Sequence, residues 1–188
     1  MIYALIDKET LDKKGVFLID LLGAINNLQA PILQYRNKTG SLEDIKSDLV
    51  FIRSHYQGNI IINDHIELIE YADGLHIGQE DLCVFSNNPQ IGIKEIRNQI
   101  GRKLLGLSAH NIDEILAANE LDIDYIGLGA YRTTDTKADA HVYGDKLLDI
   151  AKHSKHPVAL IGGVRIDDIF DESITYKVVG SGLYSQIS

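Results

Sequence analysis

Apolar and polar positions group into blocks along the chain, and eight short blocks are almost continuously apolar. Runs of this kind are typical of parallel strands that are buried on both faces, whereas strands with one wet face alternate between apolar and polar side chains. The predicted strands are IYALI (2–6), PILQY (31–35), NIIIN (59–63), GLHIG (74–78), KLLGL (103–107), DYIGL (124–128), PVALI (157–161) and YKVVG (176–180).

The segments between the strands carry helical patterns. In residues 41–56, Ser41 and Asp44 have the spacing of a capping box, in which each side chain accepts a backbone hydrogen bond at the start of a helix. Apolar side chains follow at helical spacing. They are Leu42, Ile45, Leu49 and Ile52.

Two later segments repeat this pattern. Asn111 can cap a helix predicted within NIDEILAANEL (111–121), and GDKLLDIAKH (144–153) has a similar apolar face. Asp64 is placed to cap a helix over residues 66–71.

Strands that alternate with helices predict an α/β protein, and eight of them predict a compact (β/α)8 TIM barrel that forms one domain over residues 1–188. Such barrels usually have about 250 residues. We therefore expect short first and seventh helices, and we interpret SNNPQ (86–90) as a loop extension. An open, doubly wound sheet is the alternative.

Composition narrows the classes of partner. The net charge of −9 argues against nucleic-acid binding, because phosphate backbones require spread positive charge. Cys83 is the single cysteine, so an internal disulfide is excluded and a reducing, cytoplasmic location is expected. No run reaches membrane-spanning length. Small-molecule ligands are the expected partners, and a homo-oligomer stays open alongside a monomer.

Residues capable of chemistry follow most of the predicted strands. In a parallel barrel these positions meet at the end where active sites are built. They are Arg36, Lys38, Asn63, Asp64, Asp81, Ser108, the loop GLGAYRTTDTKADA (127–140), Gly162, Gly163, Gly180 and Ser181.

Asp64 and Asp81 follow neighbouring strands. Each acid alone has a simpler interpretation, a helix cap for Asp64 and a surface acid for Asp81. Together they match Mg²⁺, which proteins hold with one or two carboxylates and substrate phosphates. Lys137, beside two threonines, could bind phosphate, and the bare backbone at Gly162–Gly163 suits an anion as well as a tight turn.

The histidines are scattered. His76 lies inside a predicted strand and His110 follows the next one, and neither has an evident serine, cysteine or second metal ligand beside it in the sequence. We therefore predict structural roles for both.

The sequence resembles the thiamine-phosphate synthase family, whose superfamily also includes the thiazole tautomerase. The resemblance covers nearly the whole chain, and its more specific parts are DGLHIGQEDL (73–82) and the TxTK element at 134–137. It is carried by YALIDKETL, QYRNK, INDH, DGLHIGQEDL, LGLSAHN, DYIGLGAYRTTDTK and IGGV, in that order.

This resemblance implies an Mg²⁺-dependent (β/α)8 enzyme that joins a pyrimidine pyrophosphate to a thiazole phosphate. The catalytic groups would be Arg36, Lys38, Ser108 and Lys137. Asp64 and Asp81 would bind Mg²⁺, and Gln34 and Ser108 would contact the pyrimidine. The pyrophosphate ligands would be Arg36, Lys38, Asn63 and Lys137, and the thiazole-phosphate ligands would be Thr134, Thr136, Gly163, Gly180 and Ser181.

One departure from the family pattern stands out. Arg132 occupies a position where the family usually has an aromatic side chain, so we expect it either to reach the pyrophosphate or to point outward. Two other functions stay open. The first is a tautomerase, which would need a histidine near Gly129–Tyr131, where this chain has none. The second is a degenerate, non-catalytic phosphate-binding protein.

Overall fold

The computed structural model describes residues 1–133 and 142–187, in which eight parallel strands form a closed barrel. The strands follow the order of the chain, and β1 pairs with both β2 and β8. The (β/α)8 prediction is therefore confirmed, and the open sheet is wrong. The strands are β1 (Ile2–Asp7), β2 (Ile32–Arg36), β3 (Asn59–Asn63), β4 (Gly74–Ile77), β5 (Leu104–Ala109), β6 (Tyr125–Leu128), β7 (Val158–Leu160) and β8 (Tyr176–Val179).

Helices surround the barrel. The α-helices in the described part of the chain are α1 (Lys8–Lys14), α2 (Leu18–Asn27), α3 (Leu42–His55), α4 (Gln79–Phe85), α5 (Pro89–Ile100), α6 (Ile112–Ala118) and α7 (Lys146–Ala151). Two 3-10 helices, Ile66–Tyr71 and Ser181–Gln186, follow β3 and β8. No helix in the described part of the chain is long and apolar enough to cross a membrane.

Two hydrophobic clusters explain why the strands are apolar on both faces. The larger cluster lies between the strands and the helices, and the smaller one fills the inside of the barrel. Alternate side chains of each strand enter these two layers, as the two-residue period of a strand requires. The inner cluster contains Tyr3, Leu5, Ile32, Ile61, Tyr125, Ala159 and Val178.

The predicted helix starts are confirmed where capping residues indicated them. Ser41 and Asp44 form a reciprocal capping box at the start of α3, and Asn111 accepts the backbone N–H of Glu114 at the start of α6. The apolar stripe of α3 is narrower than predicted, because Leu42 is exposed while its other three members are buried.

The connections differ from the prediction in three places. The first connection carries two helices, α1 and α2, rather than one short helix. The seventh connection, residues 161–175, is described throughout and contains turns but no helix. Of the predicted loop SNNPQ, only residues 86–88 lie outside a helix, because Asn88 caps α5 and Pro89 begins it. Proline at a first helical position costs no hydrogen bond, which explains this start.

Candidate active site

The mouth at the carboxyl ends of the strands gathers most of the predicted site residues. Asp7, Arg36 and Asn63 end β1, β2 and β3, and the register places Asp7 beside Arg36. The alternation of each strand turns these side chains toward the barrel axis, as it does for Leu5 and Ile61 one step deeper. The first three strands therefore bring two acceptors and a cation to one place.

Arg36 is held by an acid that the sequence analysis missed. The Arg36 guanidinium donates to the buried Asp7 carboxylate, which also accepts hydrogen bonds from the backbone N–H of Thr10 at 2.9 Å and from its hydroxyl at 2.7 Å. Asp7 directly follows the first predicted strand, so the strand-end criterion used for the other strands would have found it. The pair fixes Arg36 while its remaining N–H groups stay available as donors.

Asp64 and Asp81 lie together, as expected. Burial raises the pKa of Asp64, and the nearby Asp81 carboxylate raises it further, whereas the positive charges of Lys38 and Arg36 act in the opposite direction. The partly buried Asp64 carboxyl therefore lies near Asp81 and near two of the predicted cations. Lys38 itself is exposed at the edge of the mouth.

The prediction that Asp64 caps a helix is wrong. His65 is the cap of the 3-10 helix and makes no side-chain capping bond. Asp64 has a left-handed backbone with φ of 65°, and its N–H donates to His76 O at 2.9 Å. Left-handed geometry is unfavourable for a residue other than glycine and is common at functional sites. Here it turns the carboxyl toward Asp81 instead of toward the helix start.

The acid pair fits Mg²⁺. Asp81 accepts the Gly78 N–H at 2.9 Å with one carboxylate oxygen, which orients the group at the start of α4. Among residues 1–133 and 142–187, no group of three or more His, Cys, Asp or Glu side chains forms a metal site. Two carboxylates, with substrate phosphate oxygens and water, make up a donor set that Mg²⁺ prefers.

Gln34 places an unsatisfied donor below this cluster. Its side chain is buried inside β2, and Nε2 has no hydrogen-bond partner among the residues that the structure describes. A buried amide without a partner costs free energy that a bound ligand can recover. A contact between Gln34 and the pyrimidine stays a prediction.

A chain of hydrogen bonds links the barrel interior to the mouth. The Tyr3 and Tyr125 hydroxyls lie 2.8 Å apart, Tyr125 lies 3.1 Å from His76 Nδ1, and His76 Nε2 lies 3.0 Å from Ser108 Oγ. Gly106 leaves space for the Tyr125 ring in this chain, because a Cβ on residue 106 would lie 2.2 Å from that ring. His76 therefore has a serine partner, Ser108, which is 32 residues away in the sequence and was not recognised from it.

Burial lowers the pKa of His76 to about 4, although the Asp81 charge acts in the opposite direction. The ring is consequently neutral at pH 7 and donates at one nitrogen while accepting at the other. Ser108 is further fixed by Gln79, whose Nε2 donates to Ser108 O at 2.6 Å. His76 thus orients the hydroxyl predicted to contact the pyrimidine, and Gln79 fixes the backbone that carries it.

On the opposite side of the mouth, the predicted phosphate ligands are mostly backbone groups of glycines. Gly162 and Gly163 have φ of 94° and 59°, and a Cβ on Gly163 would lie 2.7 Å from the Arg132 Cβ. Only glycine suits this conformation and this close approach. Gly180 follows β8, and Ser181 begins the final 3-10 helix. All of these predicted phosphate ligands lie at the carboxyl ends of β7 and β8.

Arg132 was expected either to reach the pyrophosphate or to point outward, but its guanidinium contacts Asp168 and Gly163. Its guanidinium makes two hydrogen bonds to Asp168, at 2.6 Å and 3.1 Å, and one to Gly163 O at 3.0 Å. It therefore binds the connection after β7 instead of pointing outward. The three remaining predicted ligands, Thr134, Thr136 and Lys137, lie outside the described residues.

A cavity of about 840 Å³ lies at the other end of the barrel, where Pro157 and Thr175 precede β7 and β8. Two of its lysines already pair with carboxylates, Lys152 with Asp149 at 2.9 Å and Lys155 with Glu120 at 2.7 Å. The cluster of acids and cations at the mouth is the better candidate site, because it combines burial, two adjacent carboxyl groups and an unsatisfied donor.

Solved structures support the fold. The chain is similar to a thiamine phosphate pyrophosphorylase from Pyrococcus furiosus, with a TM-score of 0.78 and 20% identity over 98% of this chain and 91% of that one. A type I 3-dehydroquinate dehydratase from Clostridium difficile has a TM-score of 0.57 at 10% identity and covers 99% of this chain and 90% of its own. At these identities the likeness concerns the barrel alone.

Sequence comparison identifies the family. The chain is 33% identical over 176 residues to a thiamine-phosphate synthase of Persephonella marina, covering 90% of this chain and 79% of that protein. It is 34% identical to the thiamine-phosphate synthase of Methanococcus maripaludis, covering 74% of this chain and 66% of that protein. The profile of the family described as Thiamine monophosphate synthase matches residues 2–180. The chain therefore belongs to the thiamine monophosphate synthase family.

Proposed function

We propose that this chain is an Mg²⁺-dependent thiamine-phosphate synthase acting on hydroxymethylpyrimidine pyrophosphate and thiazole phosphate. The carbon–oxygen bond to the pyrophosphate breaks, and its electron pair leaves with that oxygen. The thiazole nitrogen forms the new carbon–nitrogen bond, which gives thiamine phosphate and free pyrophosphate. The observation that carries the proposal is the adjacent pair of carboxyl groups of Asp64 and Asp81, beside Arg36 and Lys38 at the barrel mouth. Family membership supports the same reaction.

The leaving group determines what the protein must supply. Pyrophosphate departs with accumulating negative charge, so positive groups fixed beforehand around it stabilise the transition state. Arg36 is already oriented by Asp7, and Lys38 adds a second charge at the rim. Mg²⁺ held by Asp64 and Asp81 would add further positive charge at the same phosphates. No protein nucleophile is required in this scheme.

The pyrimidine would lie over the polar floor of the barrel. Gln34 Nε2 is the buried donor without a described partner, and Ser108 Oγ is oriented by His76. Both groups can hydrogen-bond to ring nitrogens or the amino group of the pyrimidine. Fixing the ring aligns its reactive carbon with the thiazole nitrogen, and positioning of this kind accounts for much of the rate in a two-substrate reaction.

The thiazole phosphate would bind opposite, at the backbone of Gly162–Gly163 and at Gly180–Ser181. Bare backbone near strand ends lets N–H groups approach an anion closely. Thr134, Thr136 and Lys137 stay predicted ligands of the phosphate groups from the family resemblance. The cytoplasmic location also stays a prediction.

A single assay tests the proposal. The purified full chain is supplied with both precursors, and pyrophosphate release and thiamine phosphate are measured with Mg²⁺ and after chelation by EDTA. We expect equal amounts of the two products, formed only with both precursors and Mg²⁺. Isomerisation of a thiazole precursor in the same preparation, without condensation, would favour the tautomerase. Binding of the precursors without any turnover would favour a non-catalytic phosphate-binding protein.

A further inference from the structure

The connection between β7 and β8 carries the proposed phosphate-binding glycines without a helix to hold it. Residues 161–175 are described throughout and form two short turns and irregular segments, with no helix. In (β/α)8 barrels, phosphate is often bound by the loops after strands seven and eight together with the start of a short helix. A glycine backbone lacking that support is flexible, so its geometry must be imposed by other parts of the chain.

Arg132 contacts this connection at three points. Its backbone N–H donates to Gly162 O at 2.8 Å, and its guanidinium donates to Gly163 O at 3.0 Å. The two hydrogen bonds to Asp168 then fix the plane of the guanidinium. Asp168 also accepts the Arg165 N–H at 2.8 Å, which closes the turn beyond the glycines.

Neighbouring groups hold both partners in place. The Arg132 guanidinium lies over the Tyr131 ring at 4.5 Å, and this ring meets Phe170 edge to face at 5.4 Å. From the other side, Lys177 on β8 donates to the carbonyl oxygens of Ile166 and Asp168. The connection is therefore fixed by cations that come from β8 and from the segment after β6.

We propose that Arg132 is a positioning residue, whose two-bond ion pair with Asp168 holds the Gly162–Gly163 backbone in the geometry that binds thiazole phosphate. This inference rests on the proposed function and specifies how one of its subsites is built. The forked guanidinium matters because it fixes direction as well as distance, which an ammonium cannot do. Arg132 acts through the glycines, since its described hydrogen bonds go to Asp168 and to the backbone.

The test compares three single variants of the full chain, Arg132→Met, Arg132→Lys and Asp168→Asn, with one double variant. We expect Arg132→Met to raise the KM for thiazole phosphate about tenfold, while kcat and the KM for the pyrimidine pyrophosphate stay within about twofold. Arg132→Lys should restore part of the loss. The double variant Arg132→Met/Asp168→Asn should be no worse than Arg132→Met alone, because both changes break one interaction.

Binding is measured separately by calorimetry with thiazole phosphate alone, and unfolding by urea. Lys155→Met is the matched control, since it breaks the exposed pair with Glu120 at the far end of the barrel and should change neither KM. If Arg132→Met failed to fold, Asp168→Asn, which keeps the side-chain shape, would decide. An unchanged KM for thiazole phosphate, or an equal rise in both KM values, would overturn the inference.

Failure of the proposed function gives a different result. If the wild-type chain bound thiazole phosphate but formed no thiamine phosphate, the synthase proposal would fail, and calorimetry of the variants would still test Arg132. If the wild-type chain were active and Arg132→Met bound thiazole phosphate equally well, only the role of Arg132 would be wrong.

Discussion

The two sides of the barrel mouth are built in different ways. On the proposed pyrophosphate side, charged side chains follow β2, β3 and β4, and regular helices such as α3 and α5 return the chain. On the proposed thiazole-phosphate side, glycine backbone follows β7, and a helix-free connection is held by Arg132 and Lys177. The first side depends on which side chains are present, and the second depends on how the backbone is held.

The difference predicts different responses to mutation. The charges of Asp81 and Lys38 can be removed without disturbing the barrel, because neither belongs to a buried ion pair among the described residues and the strands are anchored by their buried neighbours. A change at the glycines alters the fold of the connection and its ligand contacts together. Activity and stability should therefore separate on the first side and change together on the second.

The largest expected effect is on the pyrophosphate side. Asp81→Asn should lower kcat about 100-fold at limiting Mg²⁺, because one charge of the acid pair is lost from a site that must neutralise a leaving pyrophosphate. The amide oxygen can still accept the Gly78 N–H at the start of α4, so the midpoint of thermal unfolding should hardly change.

The neighbouring Glu80 provides the control. Glu80 is exposed in the first turn of the same helix, so Glu80→Gln removes an equal charge at the position next to Asp81. Its kcat should match that of the wild-type chain across the Mg²⁺ titration. Wild-type activity of Asp81→Asn at limiting Mg²⁺ would remove Asp81 from the metal site.

The sequence predicts the fold well because its signals are local. Each strand is a short apolar run, and capping residues such as Ser41 and Asn111 mark helix starts within three positions. The prediction failed where the signal was ambiguous. An acid before a helical pattern, such as Asp64, can be a cap or can turn inward, and the choice depends on the β4 carbonyl that binds its N–H.

The site is predictable in part for the same reason. Strand-end residues such as Arg36 and Asp81 are found from position alone, once the barrel is assumed. The pairs His76–Ser108 and Arg132–Asp168 join residues separated by 32 and 36 positions, and no local pattern links their members. The three-dimensional arrangement was needed to reveal both.

The second-largest expected effect tests the proposed thiazole-phosphate side. Gly163→Ala should cost about 2 kcal/mol of unfolding free energy, because φ is 59° and the new Cβ would lie 2.7 Å from the Arg132 Cβ and from Thr133 O. The KM for thiazole phosphate should rise about tenfold in the same variant, since the displaced backbone is the proposed ligand. Urea unfolding and steady-state kinetics measure the two quantities.

Gly23→Ala is its control. Gly23 lies in α2, and a Cβ there would meet nothing within 4 Å. Alanine should stabilise the chain by about 0.5–1 kcal/mol through helix propensity and leave the kinetics unchanged. If Gly163→Ala lost stability but kept its KM for thiazole phosphate, the glycine would be structural only, and the contrast between the two sides would disappear.

The smallest expected effect concerns Lys38, an exposed charge on the pyrophosphate side. Lys38→Met should weaken product inhibition by pyrophosphate about fivefold at low salt, because an exposed cation in water contributes little to an ion pair. The difference from the wild-type chain should shrink as KCl is raised to 0.5 M, since salt screens exposed charges. Unfolding free energy should be unchanged. Lys94→Met, an exposed lysine on α5, should leave the inhibition constant as it is in the wild-type chain. Equal inhibition of the Lys38→Met and wild-type chains at low salt would place Lys38 outside the site and leave Arg36 and the acid pair as its charged groups.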